Sequence, residues 1–329
     1  MVRVTDVKVK KKGGGYTTGY YMDNYLKSNL DGVPDFLAKE WDVIGIITGH
    51  GKVGTGKSTE ALQCGYYLAW LLAGGKTITE TVRDKKKKVD HTKVKEIVKP
   101  KKPVRFGMEN IVFTPEELMK TAETLYKKYG PGQVIVYDEG TAGLDSANAM
   151  MSINKAMNEF MQRCRVFHHI ILIVAPNFFK FHEDHAVARS LFLIDTYPDA
   201  KFNRGYFAFY NELQKEKLYF FGKKRIGIRA KYLSSTPNFR GRFSKWMPVD
   251  KKEYDKAKIK AINAGKKTRS EVKYKKQRDG AIYLLKKYSD MASDAISSEL
   301  SAVCGIRLSP RTIRYSISNI TKQKESEID

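Results

Sequence analysis

The stretch GHGKVGTGKST, at residues 49 to 59, combines four glycines with two lysines and three hydroxyl side chains. From Gly51 to Ser58 it fits the pattern G-x-x-x-x-G-K-[ST], whose glycines let backbone N–H groups turn inwards around phosphate oxygens. Lys57 would then contact the β- and γ-phosphates, and the Ser58 hydroxyl would be a ligand of Mg²⁺. The residues predicted to surround the phosphates are Gly51, Val53, Gly54, Thr55, Gly56, Lys57, Ser58 and Thr59.

A pair of adjacent acidic residues ends a second apolar run, QVIVYDEG, at residues 133 to 140. Asp138 would hold Mg²⁺ through water, and Glu139 would orient and polarise an attacking water molecule. Two acids at the end of a buried strand are costly unless a metal or a phosphate uses them. An acidic turn without such a role is the alternative.

The elements predicted around these motifs form a mainly parallel sheet that is covered by helices. Apolar runs without polar alternation indicate strands that are buried on both faces. One such run precedes the glycine-rich stretch, and a helix-forming run, TEALQCGYYLAWLL, follows it. A further helix is predicted from Thr114, which would cap it, with Pro115 in its first turn. The predicted strands are DVIGIIT (42 to 48), NIVFT (110 to 114), QVIVYD (133 to 138), HIILIVA (169 to 175) and SLFLIDTY (190 to 197).

The acidic pair and the strand count favour ATP over GTP as the nucleotide. One extra run, NIVFT, lies between the loop and Asp138, and an adjacent glutamate is typical of ATPases in which such a strand intervenes. The N-K-x-D tetrapeptide with which GTPases recognise guanine does not occur in the sequence. We therefore predict an α/β fold of the P-loop NTPase class, of the additional-strand, catalytic-glutamate type, with ATP and Mg²⁺ as cofactors.

The charge of the chain points to an anionic partner. The formal net charge is +24 over 329 residues, and residues 221 to 329 hold 27 Lys and Arg against 11 Asp and Glu. Such a concentrated positive field favours phosphate polymers, although solvated lysine faces are the alternative. Three widely spaced cysteines argue against a disulfide framework or a zinc module. Since no apolar run reaches the ~20 residues of a membrane span, we expect a soluble, cytoplasmic protein without a membrane anchor.

Four segments are predicted along the chain: a basic, partly helical N-terminal extension (1 to 40), the α/β domain (41 to 222), a basic connector (223 to 277) and a small basic helical domain (278 to 322). Within the α/β domain, lysine-dense residues 83 to 105 are expected to be an exposed insertion that is ordered only against a polyanion. The aromatic runs RGYFAFYN and EKLYFFGKK indicate a hairpin or edge strands.

The C-terminal segment resembles a helix-turn-helix unit. Gly305 interrupts a helical pattern, and Ser309-Pro310 would cap a second helix, SPRTIRYSISN. Ile313 and Ile317 would pack inwards, and a small bundle for protein contact is the alternative. Aromatic and basic residues further upstream, NFRGRFSKW, suit either DNA contact or packing over the α/β core. The residues predicted to face DNA are Arg311, Thr312, Arg314, Tyr315 and Ser318.

Together, GHGKVGTGKST, VIVYDEG and QRCRVFHHIILIVAPN resemble the P-loop ATPases grouped with FtsK, HerA and the zonula occludens toxin-like phage and plasmid proteins. The resemblance covers about residues 41 to 200. It implies an ATP-driven motor that acts on DNA as a homo-oligomeric ring, such as a hexamer. The family places a glutamine as sensor after a neighbouring strand, whereas this chain has Ala175-Pro176. Its first amide is Asn177, to which the resemblance assigns the sensor role.

Ring motors of this kind insert an arginine from one subunit into the site of the next, where it neutralises phosphate charge. The candidates are Arg163, Arg165, Arg189 and Arg204, and Arg189 is the first choice because it precedes a predicted strand near the expected subunit boundary. Two other functions stay open. One is an ATP-dependent switch, such as a replication initiator or helicase loader. The other is a DNA-binding regulator whose nucleotide site is structural.

Overall fold

A computed structural model describes residues 1–10, 14–52, 54–84, 89–138, 153–155, 157–160, 165–265, 269–289, 291–305 and 307–325. The chain divides into two compact units, residues 1 to 262 and residues 263 to 329. The strands, all in the first unit, are β1 (Val2–Lys10), β2 (Tyr16–Met22), β3 (Val43–Thr48), β4 (Lys76–Asp84), β5 (Val89–Val98), β6 (Ile111–Val112), β7 (Val134–Asp138), β8 (Ile170–Val174), β9 (Phe192–Tyr197), β10 (Tyr206–Tyr210) and β11 (Phe239–Arg242).

The helices of the first unit include α1 (Asn24–Asp31), α2 (Val33–Ala38), α3 (Lys57–Leu72), α4 (Pro115–Tyr129), α5 (Glu212–Lys223), α6 (Ile228–Tyr232) and α7 (Lys251–Gly265), whose last three residues belong to the second unit. The second unit contains α8 (Arg269–Ser289), α9 (Ser293–Cys304) and α10 (Pro310–Glu325).

A seven-stranded sheet in the order β11-β10-β9-β3-β8-β7-β6 forms the centre of the first unit. The strands from β9 to β6 in this order run parallel. At the opposite edge, β10 pairs antiparallel with β9, and β11 pairs antiparallel with β10. All five predicted strands are present in this sheet, so the predicted mixed α/β architecture with a mainly parallel sheet is confirmed. The run NIVFT forms β6 at the other edge, and it is β8 that separates β3 from β7.

Both faces of the sheet are buried, as the unbroken apolar runs predicted. Ile47 and Val136 lie in the core on the α3 face, whereas Ile46 and Tyr137 lie in the core on the α4 face. Successive residues of a strand point to opposite faces, so each apolar run contributes to both cores. α4 begins as expected, because Thr114 accepts a hydrogen bond from the Glu117 N–H at 3.2 Å and Pro115 occupies the first turn.

The N-terminal residues are part of the core rather than an extension. The strands β1 and β2 pair as an antiparallel hairpin, and α1 and α2 confirm the predicted short helices. The hairpin packs against α3: the Tyr20 hydroxyl donates to the Gln63 carbonyl at 2.6 Å, and Trp70 Nε1 donates to Asp6 at 2.7 Å. Because α3 is covered by the sheet and by this hairpin, its apolar residues are buried around most of its circumference.

Three further expectations differ from the structure. The run EKLYFFGKK is part of helix α5 rather than a strand, because Asn211 caps the Gln214 N–H and Leu218 and Gly222 are buried at helical spacing. The lysine-dense segment expected to lack order on its own supplies β5, which pairs with β4 as a hairpin. The segment named a connector supplies β11, which extends the central sheet.

The described residues of the second unit form three helices around a small core of Ile282, Ile296 and Ile313. Ser309 lies before α10 and accepts a hydrogen bond from the Thr312 N–H at 3.2 Å, as the sequence predicted. None of the described helices has both the length and the apolar character that a membrane span requires.

Candidate functional site

The carboxyl ends of four parallel strands bring the predicted site residues to one edge of the sheet. The glycine-rich loop follows β3, and Asp138 is the last residue of β7. Asn177 follows β8, and Asp195 in β9 is the register partner of Thr48 at the end of β3. Ligands of open α/β sheets bind in the crevice at this edge, so the candidate site lies where such sites are common.

The loop between β3 and α3 has the backbone geometry of an anion-binding turn. His50, Gly51, Gly54 and Gly56 have φ angles of 52°, 69°, 76° and 101°. Gly56 directly precedes α3, so the N–H groups of the first turn of a 16-residue helix open towards the loop. Val53, which is also predicted to surround the phosphates, lies outside the described residues.

Lys57 lies folded across the loop. Its Nζ donates to the carbonyl oxygen of Lys52 at 3.1 Å, and a Cβ atom at Gly49 would lie 2.9 Å from this Nζ. The same Cβ atom would lie closer still to the hydroxyl oxygen of Thr55, which is buried. A side chain at residue 49 would therefore collide with Thr55 as well as with Lys57.

Two polar residues of β9 hold the loop in place, and sequence reasoning missed both. Thr55, which is buried, lies 2.7 Å from the Thr196 hydroxyl, which in turn donates to the Thr48 carbonyl at 3.0 Å. Asp195 accepts from the Thr48 hydroxyl and from the His50 N–H, each at 2.7 Å. The available signal was an adjacent Asp and Thr inside the apolar run SLFLIDTY, where buried polar groups need partners.

Ser58 and Asp138 converge on a single cation, the ammonium group of Lys258 in α7. Lys258 Nζ lies 3.0 Å from Asp138 Oδ2 and 3.4 Å from Ser58 Oγ. The Tyr254 hydroxyl, one helical turn earlier, donates to the same Asp138 oxygen. Burial raises the pKa of Tyr254, and the Asp138 carboxylate raises it further, so this hydroxyl stays protonated. Sequence reasoning placed both residues in a connector and missed them, although their i, i+4 spacing was visible.

The donor set at this point suits a Mg²⁺ ion. A hydroxyl and a carboxylate oxygen that both contact one ammonium group can also approach one metal ion, and Mg²⁺ prefers oxygen ligands. Among the residues described, no group of three or more His, Cys, Asp and Glu is placed to hold a metal. This sparse set fits Mg²⁺, which proteins commonly bind through one or two side chains together with substrate phosphates.

A cleft of about 480 Å³ opens beside the loop. Its lining includes Gly56 and Thr59 from the loop and α3, together with Phe202, Arg204 and Phe243. The Phe243 ring packs so closely on Gly56 that a Cβ atom there would lie 2.7 Å from it. The volume lies within the ~300–1,000 Å³ typical of small-molecule sites, and the lining combines two phenylalanines with the basic residues Arg204, Lys245 and Lys251.

The remaining predicted site residues lie in different places. The Asn177 side chain caps a short helical turn by accepting from the Phe179 N–H at 2.9 Å. Arg189 is exposed and lies before β9, at the amino-terminal end of that strand. The glycine-rich loop of the same chain lies at the other end of the parallel strands. Arg204 is also exposed, and its guanidinium would lie 3.3 Å from a Cβ atom at Gly54. Glu139 and Arg163 lie outside the described residues, as does the side chain of Arg165.

A buried acid follows the loop in the first turn of α3. Glu60 is 1% exposed, and burial raises its pKa to about 8, with the charge of Asp23 adding to the rise. Its Oε1 accepts a weak hydrogen bond from the Cys64 thiol at 3.9 Å. Glu60 is therefore largely protonated at neutral pH.

In the second unit, α10 presents most of the predicted DNA-facing residues to solvent. Arg311, Arg314, Tyr315 and Ser318 are exposed and Thr312 is half-buried, while Ile313 is fully buried. In the first unit, by contrast, aromatic residues of NFRGRFSKW are packed inwards. Phe239 stacks on Phe209 with ring centres 4.7 Å apart, and Trp246 stacks on Tyr20 at 4.3 Å.

Comparison with protein-family models and with curated proteins found no match for this chain.

Proposed function

We propose that this chain is a P-loop ATPase of the additional-strand, catalytic-glutamate type that couples Mg²⁺-dependent ATP hydrolysis to work on DNA, such as translocation, packaging or transfer. One observation carries the proposal. The Ser58 hydroxyl and the Asp138 carboxylate are predicted from two separate motifs to hold Mg²⁺, Ser58 directly and Asp138 through water, and both contact the same cation. The two oxygens therefore lie close enough together to hold one Mg²⁺ ion, which prefers oxygen ligands.

The strand order supports the same proposal. In the sheet β8 lies between β3, which precedes the loop, and β7, which ends in Asp138. An intervening strand of this kind is what the additional-strand class of ATPases requires. The cleft beside Gly56 supplies space for the rest of a nucleotide whose phosphates lie on the loop.

The proposed roles combine these positions with the roles that the sequence predicts for Glu139, Asn177 and Arg189. The loop N–H groups and Lys57 bind the phosphates, and the aromatic cleft orients the rest of the nucleotide. Mg²⁺ bound by Ser58 and Asp138 would supply further neutralisation of phosphate charge. Glu139 orients the attacking water and takes up its proton, while Asn177 and an arginine of a neighbouring subunit, Arg189, complete the site.

The proposed DNA contact rests on the charge of the chain and on α10. Arg311 and Arg314 stand exposed on one helix of a three-helix unit, and residues 221 to 329 carry 16 more basic than acidic residues. Exposed arginines on a helix suit the phosphates and base edges of a major groove.

The test is the ATPase rate of the purified protein with and without duplex DNA, in wild type and in Glu139→Gln. We expect DNA to stimulate hydrolysis, and we expect Glu139→Gln to abolish turnover while ATP binding remains. A negligible rate that does not respond to DNA would contradict the motor.

The contact between Lys258 and Asp138 favours a second candidate function, an ATP-dependent switch on DNA. The Lys258 side chain contacts Asp138, which is proposed to hold Mg²⁺. Binding of a nucleotide together with Mg²⁺ would therefore break this contact, and a local change of this kind can switch a protein between two states. The switch predicts slow hydrolysis, a sequence-specific footprint that depends on ATP, and no movement along DNA.

A further inference from the structure

Lys258 contacts the two side chains that are proposed to hold Mg²⁺. Its side chain is 24% exposed, whereas the Asp138 side chain that it contacts is 3% exposed. A buried carboxylate without a counter-charge is costly, so the ammonium group of Lys258 stabilises Asp138 in the absence of a metal. The hydroxyl of Ser58, the other proposed metal ligand, lies 3.4 Å from the same nitrogen.

The helix that carries Lys258 is anchored at this point. Tyr254, one turn earlier in α7, is 4% exposed, and its ring lies 5.6 Å from that of Phe113. Its hydroxyl donates to Asp138 and lies 3.3 Å from Lys258 Nζ. Two residues at i, i+4 therefore reach the same carboxylate from one helix face.

We propose that Lys258 is an internal cation that competes with the divalent metal for Ser58 and Asp138, so that binding of metal requires the Lys258 side chain to leave. This inference rests on the proposed function, because that function makes Ser58 and Asp138 the metal ligands. A metal ion held by Ser58 directly and by Asp138 through water would lie close to the ammonium group that contacts the same two side chains, and like charges at such a distance repel strongly. The two bound states are therefore mutually exclusive.

The test is the binding of Mn²⁺ alone, followed by electron paramagnetic resonance or calorimetry at fixed pH. In Lys258→Met the competing charge is gone while most of the apolar stem remains, and we expect Mn²⁺ to bind about tenfold more tightly or better than in wild type. Lys256→Met is the matched control, because it removes an equal charge from an exposed position of the same helix, and we expect its affinity to equal that of wild type.

A second variant guards against misfolding. Lys258→Arg retains the cation, so we expect it to keep the weak Mn²⁺ binding of wild type. Lys258→Met and Lys258→Arg are compared by thermal unfolding to establish that both are folded. The inference is overturned if a folded Lys258→Met binds Mn²⁺ no better than Lys256→Met, or does not bind it at all.

Nucleotide binding in the presence of EDTA separates this inference from the proposed function. If a fluorescent ATP analogue binds and Mn²⁺ affinity does not depend on Lys258, the proposed function stands and the inference is wrong. In another outcome, Mn²⁺ affinity rises in Lys258→Met, but the analogue binds wild type no more tightly than it binds Lys57→Ala. The cation competition then stands and the proposed function is wrong.

Discussion

His50 and Asp195 are joined by two hydrogen bonds between the glycine-rich loop and β9. His50 Nδ1 lies 2.8 Å from Asp195 Oδ2, and the His50 N–H donates to Asp195 Oδ1 at 2.7 Å. His50 has a φ angle of 52°, which a residue with a side chain adopts at a cost. A buried carboxylate of β9 thus fixes the left-handed residue with which the glycine-rich loop begins.

We expect Asp195→Ala to destabilise the protein by about 2–4 kcal/mol, because the Thr48 hydroxyl and the His50 N–H lose a charged acceptor. Urea unfolding measures this change. Asp184→Ala is the control, since Asp184 is exposed and we expect its loss to change stability by no more than about 0.5 kcal/mol. Equal stability of the two variants would show that Asp195 does not hold the loop.

Lys57→Ala should weaken ATP binding by about tenfold to a hundredfold, the range that the loss of one or two charge-assisted hydrogen bonds gives. The control is Lys52→Ala in the same loop. Lys52 is exposed, and only its backbone carbonyl contacts Lys57, so this contact remains in the variant. Equilibrium titration with a fluorescent ATP analogue compares the two. A similar loss in both variants would mean that overall loop charge, rather than Lys57 itself, binds the phosphates.

Glu60 makes the stability of the protein depend on pH. Its pKa is about 8 in the folded protein against an ordinary value of 4.5, so the folded state binds the proton more tightly than the unfolded state. The stability that protonated Glu60 contributes is fully present below the ordinary pKa of 4.5, and it is lost as pH rises through the folded-state pKa of about 8. We expect the free energy of unfolding to fall by up to a few kcal/mol between about pH 5 and about pH 9.

Urea unfolding at the two pH values tests this expectation in Glu60→Gln, which has no proton to lose and should show a smaller fall than wild type. Glu123→Gln, at an exposed position of α4, is the control and should follow wild type. If the fall is the same in all three proteins, Glu60 is not its source.

Arg311→Ala should lower the affinity for duplex DNA and reduce the slope of log affinity against log salt by about one, as expected for one lost phosphate contact. Lys287→Ala removes an equal charge from an exposed position of α8 in the same unit. We expect this control to leave the slope unchanged. Fluorescence anisotropy at several salt concentrations measures both, and equal slopes for Arg311→Ala and wild type would remove α10 from the DNA interface.

Much of the sheet could be predicted because its signals are local. Each of the five apolar runs is long enough to span a buried strand, and a run without alternation indicates burial on both faces. The start of α4 was predictable for the same reason, since Thr114 and Glu117 are three residues apart. The run EKLYFFGKK was wrongly predicted as a strand because aromatic residues favour strands. In the fold, Leu218 and Gly222 are buried within the first unit at helical spacing.

The glycine-rich loop, the acidic end of β7 and the mixed α/β architecture could be predicted from sequence alone, because a glycine-rich loop and an apolar strand are each specified within about ten residues. What surrounds them became visible only in the folded chain. Asp195 reaches His50 from 145 positions away, and Lys258 reaches Asp138 from 120 positions away. Such contacts depend on the order of strands in the sheet and on the path of α7, and no local spacing encodes either one.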